Sequence, residues 1–108
     1  MVQDRAVQRI ITKTTVECLW PYILALMKKD PIYAYELRDR ISKEFGFQVG
    51  NVTAYMVLYK LESSGLVLSE WRNVENRQRK YYAITDNGRN ALDDAIGCFQ
   101  STVDKLRG

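Results

Sequence analysis

Residues that carry reaction chemistry in most enzymes are sparse in this chain. It has 108 residues and no histidine, which removes the commonest general base and the commonest metal ligand together. Its two cysteines, Cys18 and Cys98, stand 80 positions apart, which makes neither a disulfide scaffold nor a four-ligand zinc site. Both thiols read as buried and inert, since a redox sensor needs access and a lowered thiol pKa. Asp93 and Asp94 are adjacent, so on a helix their carboxylates diverge and form a solvated face. There is no phosphate-cradling glycine loop and no nucleophile–base pair. The expectation is a protein that is not an enzyme, with no cofactor and no bound metal.

The chemistry that remains is contact with a polyanion. Arg72, Arg77, Arg79 and Lys80 fall within nine residues, with Glu75 the only acid among them. The formal charge is only +3, so a case for nucleic acid rests on where the cations sit. Cations on a protruding tip displace the counterions condensed on phosphates. The plain alternative is a solvated hairpin tip. A second candidate is a helix over residues 50–64. Counting about 100° per residue from a core stripe of Ala54, Leu58 and Leu61 puts Val52, Met56, Tyr59, Lys60 and Ser63 on the far side. Thr53 and Tyr55 lie on its flanks. A solvent face is ordinarily charged. This one has a single lysine and three sizeable apolar groups, so something should cover it. Base edges rich in thymine methyls fit, with Asn51, Thr53 and Tyr55 supplying hydrogen bonds. A protein partner and burial within the same domain are the alternatives.

The elements that position these groups follow from periodicity. With 46% apolar residues the chain supports one compact domain with one core. No apolar run approaches the roughly eighteen residues of a membrane span. The first fifteen residues are charged throughout and lack a signal-peptide core, so the expected location is cytoplasmic. Residues 1–14, with Val2, Ala6, Val7, Ile10 and Ile11 among polar groups, read as an arm or short helix. Thr14 and Glu17 have capping-box spacing, which predicts a helix from Thr15 to Lys29, stopped by Asp30-Pro31. A second helix is predicted from Tyr33 to Phe45, with Leu37, Ile41 and Phe45 recurring every four residues and Gly46 as its left-handed cap. The third runs from Gly50 or Asn51 to Gly65.

The period then changes to two over Leu66 to Arg72 and Arg79 to Thr85, around a polar loop of residues 73–78. Thr85 caps a last helix that reaches about Leu106. On it Leu92, Ile96, Phe99, Val103 and Leu106 step 4, 3, 4, 3, a heptad seam. The seam is read as a homodimer interface, because the first three helices look sufficient to fill the core; completing the domain's own core is the alternative. The order predicts an α+β, mostly helical fold: a winged helix-turn-helix of three helices and a two-stranded wing over residues 15–85. An N-terminal segment precedes it and a dimerisation helix, residues 86–108, follows. Its reading helix would enter the major groove and its wing, residues 72–80, would lie on the backbone. The rival is a winged-helix protein-interaction module docking through Val52, Met56 and Tyr59.

Three stretches resemble the PadR-like family of transcriptional regulators. Ile23 to Ile41, ILALMKKDPIYAYELRDRI, is similar to the family's "GPLHGYEL" region. Asn51 to Val67, NVTAYMVLYKLESSGLV, resembles "PGTVYPALKRLEEEGLI". Asn76 to Gly88, NRQRKYYAITDNG, resembles "GRPRKYYRLTEAG". The chain departs at Ala34-Tyr35 for the family's Gly-Tyr, at Met56 for its proline, and at Asn76-Arg77-Gln78 for its Gly-x-Pro. The resemblance implies a homodimer held by the C-terminal helix that binds a palindromic operator in double-stranded DNA, usually to repress. It places Asn51, Thr53, Tyr55, Met56 and Lys60 on the reading helix and Arg77, Arg79 and Lys80 on the wing. Some relatives bind small aromatic effectors in a dimer pore, which Trp20 and Phe99 would line here.

Overall fold

The computed structural model describes residues 4–108; Met1 to Gln3, and with them Val2 of the expected N-terminal segment, lie outside the described residues. Helix α1 spans Arg5–Thr14 and is capped by Asp4, whose carboxylate accepts from the Ala6 N–H at 2.7 Å. No residue of α1 is buried.

The expected helix from Thr15 to Lys29 does not form as one piece. A 3₁₀ turn covers Val16–Cys18 and α2 spans only Trp20–Leu26. Pro21 is the reason: it has no N–H to give and its ring clashes with the carbonyl four residues back, so it is tolerated only in a first turn. It sits in the first turn of α2. The capping box fails with it. Thr14 ends α1 and donates to the Ile10 carbonyl at 2.7 Å, while Glu17 pairs with Lys13 at 2.6 Å.

A strand absent from the sequence-based expectation follows, β1 at Ile32–Tyr33, then a 3₁₀ turn at Ala34–Glu36. Helix α3 therefore spans Leu37–Phe45, and Tyr33 belongs to a sheet instead of opening a helix. Gly46 ends α3 at φ 77°, a left-handed conformation that glycine adopts without steric penalty. Helix α4 spans Asn51–Ser63. Strands β2, Val67–Val74, and β3, Arg77–Ile84, form a hairpin longer than expected. Only Glu75 and Asn76 separate them, both at positive φ (51° and 63°), the mark of a two-residue type I′ turn whose twist suits the strands. The sheet is antiparallel in the order β1-β3-β2, with Ile32 opposite Tyr82 and Val67 opposite Ile84.

Helix α5 spans Asp86–Arg107. Thr85 caps it, accepting from the Gly88 N–H at 3.0 Å while donating to the Gly65 carbonyl at 2.7 Å. One side chain thus ties the helix start to the foot of the wing. The core joins Ile23, Leu24, Leu37, Ile41, Leu58 and Val67 from the helices and sheet, and takes Leu92 from α5. The first three helices do not fill it alone. Beyond Ala95 no residue of α5 is buried, and the molecule measures 54 × 29 × 21 Å because helix runs past the core. No helix of the described residues is long and apolar enough to cross a membrane.

Candidate nucleic-acid interface

The turn between α3 and α4 is built by its own sequence. Gly46 reverses the chain, Val49 is buried beneath it, and the Arg38 guanidinium donates to the Val49 carbonyl at 2.8 Å. Gln48 donates to the Ser42 hydroxyl at 2.9 Å. Gly50 then opens α4 in extended conformation. These bonds set the angle at which α4 leaves α3, and its inward stripe of Ala54, Leu58 and Leu61 sets its rotation.

The outward side of α4 is bare. Val52 is 73% exposed, Met56 55% and Tyr59 53%. Asn51, Thr53 and Lys60 are exposed beside them, and Tyr55 is half-buried. Burial within the same domain, one of the three candidate fates of this face, is excluded. Tyr55 stacks on Tyr59, ring centroids 6.3 Å apart and planes 15° apart. Burial first, and the neighbouring Tyr35, Tyr59 and Tyr33 after it, raise the Tyr55 pKa, so its phenol stays protonated and able to donate.

Two residues join this face that the sequence reading left out. Tyr33 and Tyr35, flanking Ala34, bring their rings edge to face at 5.4 Å, and Tyr33 also meets Tyr81 at 5.5 Å. The signal for them was Ile32-Tyr33 after Pro31: two good strand formers where a helix had been expected to begin. Together Tyr33, Tyr35, Tyr55, Tyr59, Trp71 and Tyr82 wall an open cleft of about 290 Å³ between α4 and the wing.

The wing cations are held unequally. Arg72 is bound to Glu70 at 2.5 Å and lies 4.6 Å above the Tyr81 ring. The Arg79 guanidinium lies 4.9 Å above Tyr33. The Lys80 ammonium lies 5.3 Å from the Tyr82 ring centroid, 5.8 Å from Trp71 and 5.9 Å from Tyr59. Its approach to the Tyr82 hydroxyl, foremost, holds it above the ordinary lysine pKa. The Arg77 side chain, at the tip, is exposed and makes no hydrogen bond, ion pair or ring contact among the described residues.

The seam on α5 divides. Ile96, Phe99, Val103 and Leu106 are exposed, but Leu92 is buried in the chain's own core and drops out of it. Leu92 stands within two turns of the Thr85 cap, where α5 still lies over α2. On α1, Val7, Ile10 and Ile11 are also exposed. Cys98 is exposed and Cys18 half-buried, so the expectation of two buried thiols does not hold. Trp20 borders an open cleft of about 340 Å³ with Val57, Lys60, Leu61, Ser64 and Leu66; Phe99 is not part of it, and one chain does not bring that pair together. Among the described residues no three His, Cys, Asp or Glu gather as a metal site requires.

Comparison with known proteins places this geometry. The family model described as the transcriptional regulator PadR-like family matches residues 23–94. A transcriptional regulator of Mycobacterium tuberculosis is 34% identical over 73 residues, 68% of this chain and 67% of that protein. A PadR family transcriptional regulator from Eggerthella lenta superposes with a TM-score of 0.75 at 28% identity, covering 95% of this chain and 94% of that one. Bacillus subtilis PadR, solved in complex with operator DNA, shares the fold at a TM-score of 0.66 and 24% identity, over 73% of this chain and 47% of its own. From α2 through the first turns of α5, the helix-turn-helix and its wing are those of one family: the chain belongs to the PadR-like transcriptional regulators.

Proposed function

We propose that this protein is a sequence-specific regulator that binds double-stranded DNA as a homodimer, usually to repress. Helix α4 enters the major groove. There Asn51, Thr53 and Tyr55 offer hydrogen bonds to base edges, and Val52, Met56 and Tyr59 offer apolar contact to thymine methyls. Lys60 lies at the groove rim. The wing, residues 72–80, runs along the backbone, with Arg77 free to reach a phosphate and Arg79 and Lys80 behind it on their rings. The observation that carries this reading is the uncovered outward face of α4, side by side with a cation-bearing hairpin. The fold shared with a protein solved on operator DNA supports it.

Ile96, Phe99, Val103 and Leu106 on α5, with Val7, Ile10 and Ile11 on α1, form the dimer contact, since exposed apolar stripes on helices call for cover. A two-fold dimer sets two copies of α4 one helical turn of DNA apart, about 34–36 Å, and so reads a palindrome. A small aromatic effector would enter at the Trp20 cleft, where the dimer supplies the walls that one chain lacks.

Selection of bound fragments from the source genome tests the proposal. Enrichment of an inverted repeat with half-sites one turn apart is expected. The apolar make-up of the α4 face favours one rival, a protein-docking module. No gel shift at low salt, together with a co-purified protein, would establish that rival instead.

A further inference from the structure

The strand period separates the wing cations into two groups. Pairing of Arg72 with Arg79 and Val74 with Arg77 puts Arg77 and Arg79 on one face of the hairpin. Pairing of Trp71 with Lys80 and Ser69 with Tyr82 puts Lys80 on the other, the face whose root at Val67 and Tyr82 is buried. Lys80 and Arg79 are both half-buried, while Arg77 at the tip is exposed. The three rings around its ammonium come from three elements: Tyr82 from β3, Trp71 from β2 directly opposite, and Tyr59 from α4. The Tyr82 hydroxyl is buried without a hydrogen bond of ordinary geometry, so the nearby ammonium is also its electrostatic complement. A cation within about 6 Å of an aromatic ring centroid is attracted to the ring, and here three rings meet that distance.

We propose that Lys80 is a positioning residue that sets the angle of the wing against α4 by filling the cage of Tyr59, Trp71 and Tyr82, leaving the phosphate contact to Arg77. This rests on the DNA-binding reading above and refines it. A phosphate contact and a cage leave different marks. Losing a phosphate contact lowers the slope of log affinity against log salt by about 0.9 per protomer. Losing the cage weakens binding at every salt concentration and leaves that slope alone, because Arg77 remains on its hairpin and still finds its phosphate.

The test compares Lys80→Met with Arg77→Met in the full chain on one selected duplex. Methionine keeps an apolar stem against the rings and removes the charge. Lys80→Met is expected to weaken binding about fivefold with the parent's slope, from a cation–aromatic attraction of moderate strength; Arg77→Met is expected to lose slope. In a Trp71→Leu background, Lys80→Met should add little, since the cage is already open. A slope loss of about 0.9 per protomer in Lys80→Met, or full additivity with Trp71→Leu, overturns the proposal. A DNA-free readout decides it separately. Amide hydrogen exchange in residues 68–80 should quicken about fivefold in Lys80→Met while Leu58 and Ile41 exchange as in the parent, which also shows that the variant folds. Unchanged wing exchange overturns the cage. If the parent binds no duplex at all, the DNA reading falls and the exchange data still decide Lys80.

Discussion

Gly88 and Gly97 stand on the same helix, yet the same substitution should move stability in opposite directions. At Gly88, in the first turn of α5, an added methyl would sit 2.1 Å from the Leu66 carbonyl oxygen and 2.8 Å from Ile84 Cγ1. Real contacts of this kind essentially never fall below 3.0 Å, so the helix start would have to retreat by about 0.9 Å from the backbone at the foot of the wing. That foot is where the joint is tied: the Leu66 carbonyl accepts the Thr85 N–H at 3.1 Å, and Thr85 in turn holds the Gly65 carbonyl. Overpacking of a fitted site costs about 1–3 kcal/mol, and a broken N-cap about 1 kcal/mol more. The helix-propensity gain of alanine over glycine is only about 1 kcal/mol.

The clash wins: the cap loss and the propensity gain roughly cancel, so Gly88→Ala should lose about 1–3 kcal/mol, lowering Tm by roughly 4–24 °C. At Gly97 nothing lies within 4 Å of the added methyl, so only the propensity gain remains. Gly97 also lies off the Ile96–Phe99–Val103 stripe, so Gly97→Ala should raise Tm by roughly 4–8 °C. Far-UV circular dichroism melts at matched protein concentration measure both. A Gly88→Ala protein as stable as the parent would refute the steric argument, and an equal rise in both variants would show that propensity alone governs α5.

Other perturbations reach the remaining joints. Thr85→Val keeps the shape but removes both hydroxyl bonds, and should cost about 1–2 kcal/mol in urea unfolding; an unchanged midpoint would mean the cap is idle. Arg77→Ala should flatten the salt slope of duplex binding by about 0.9 per protomer, followed by fluorescence anisotropy from low to moderate salt. An unchanged slope would take the wing tip off the backbone. Thr53→Ala should change which duplexes are enriched from a random pool more than it changes overall affinity, since a base-edge contact is worth about 1–3 kcal/mol of discrimination. Identical enrichment would remove Thr53 from the reading surface. Phe99→Asp should give a folded monomer in sedimentation equilibrium, and a dimer that persists would place the subunit contact elsewhere.

What could be read from the chain alone was local. The inward stripe of Ala54, Leu58 and Leu61, the left-handed glycine after α3, the shift to a period of two and the Thr85 cap each depend on residues within a few positions of one another, and all stand in the structure. The break at Trp20-Pro21 was equally local, but capping-box spacing outweighed a proline whose missing N–H should have decided the matter. Tertiary structure decided what distant segments do to each other. Ile32-Tyr33 becomes a strand only because β3, some fifty residues later, offers an edge to pair with. Leu92 leaves the α5 stripe because α2 lies beneath the first half of the helix and not the second. The four wing cations look alike as a charge run, but the hairpin register sends Arg77 to water, Arg79 to the Tyr33 ring and Lys80 into an aromatic cage. Periodicity reports which side of an element is apolar; which neighbour covers that side is settled only by packing, where the partners come from anywhere in the chain.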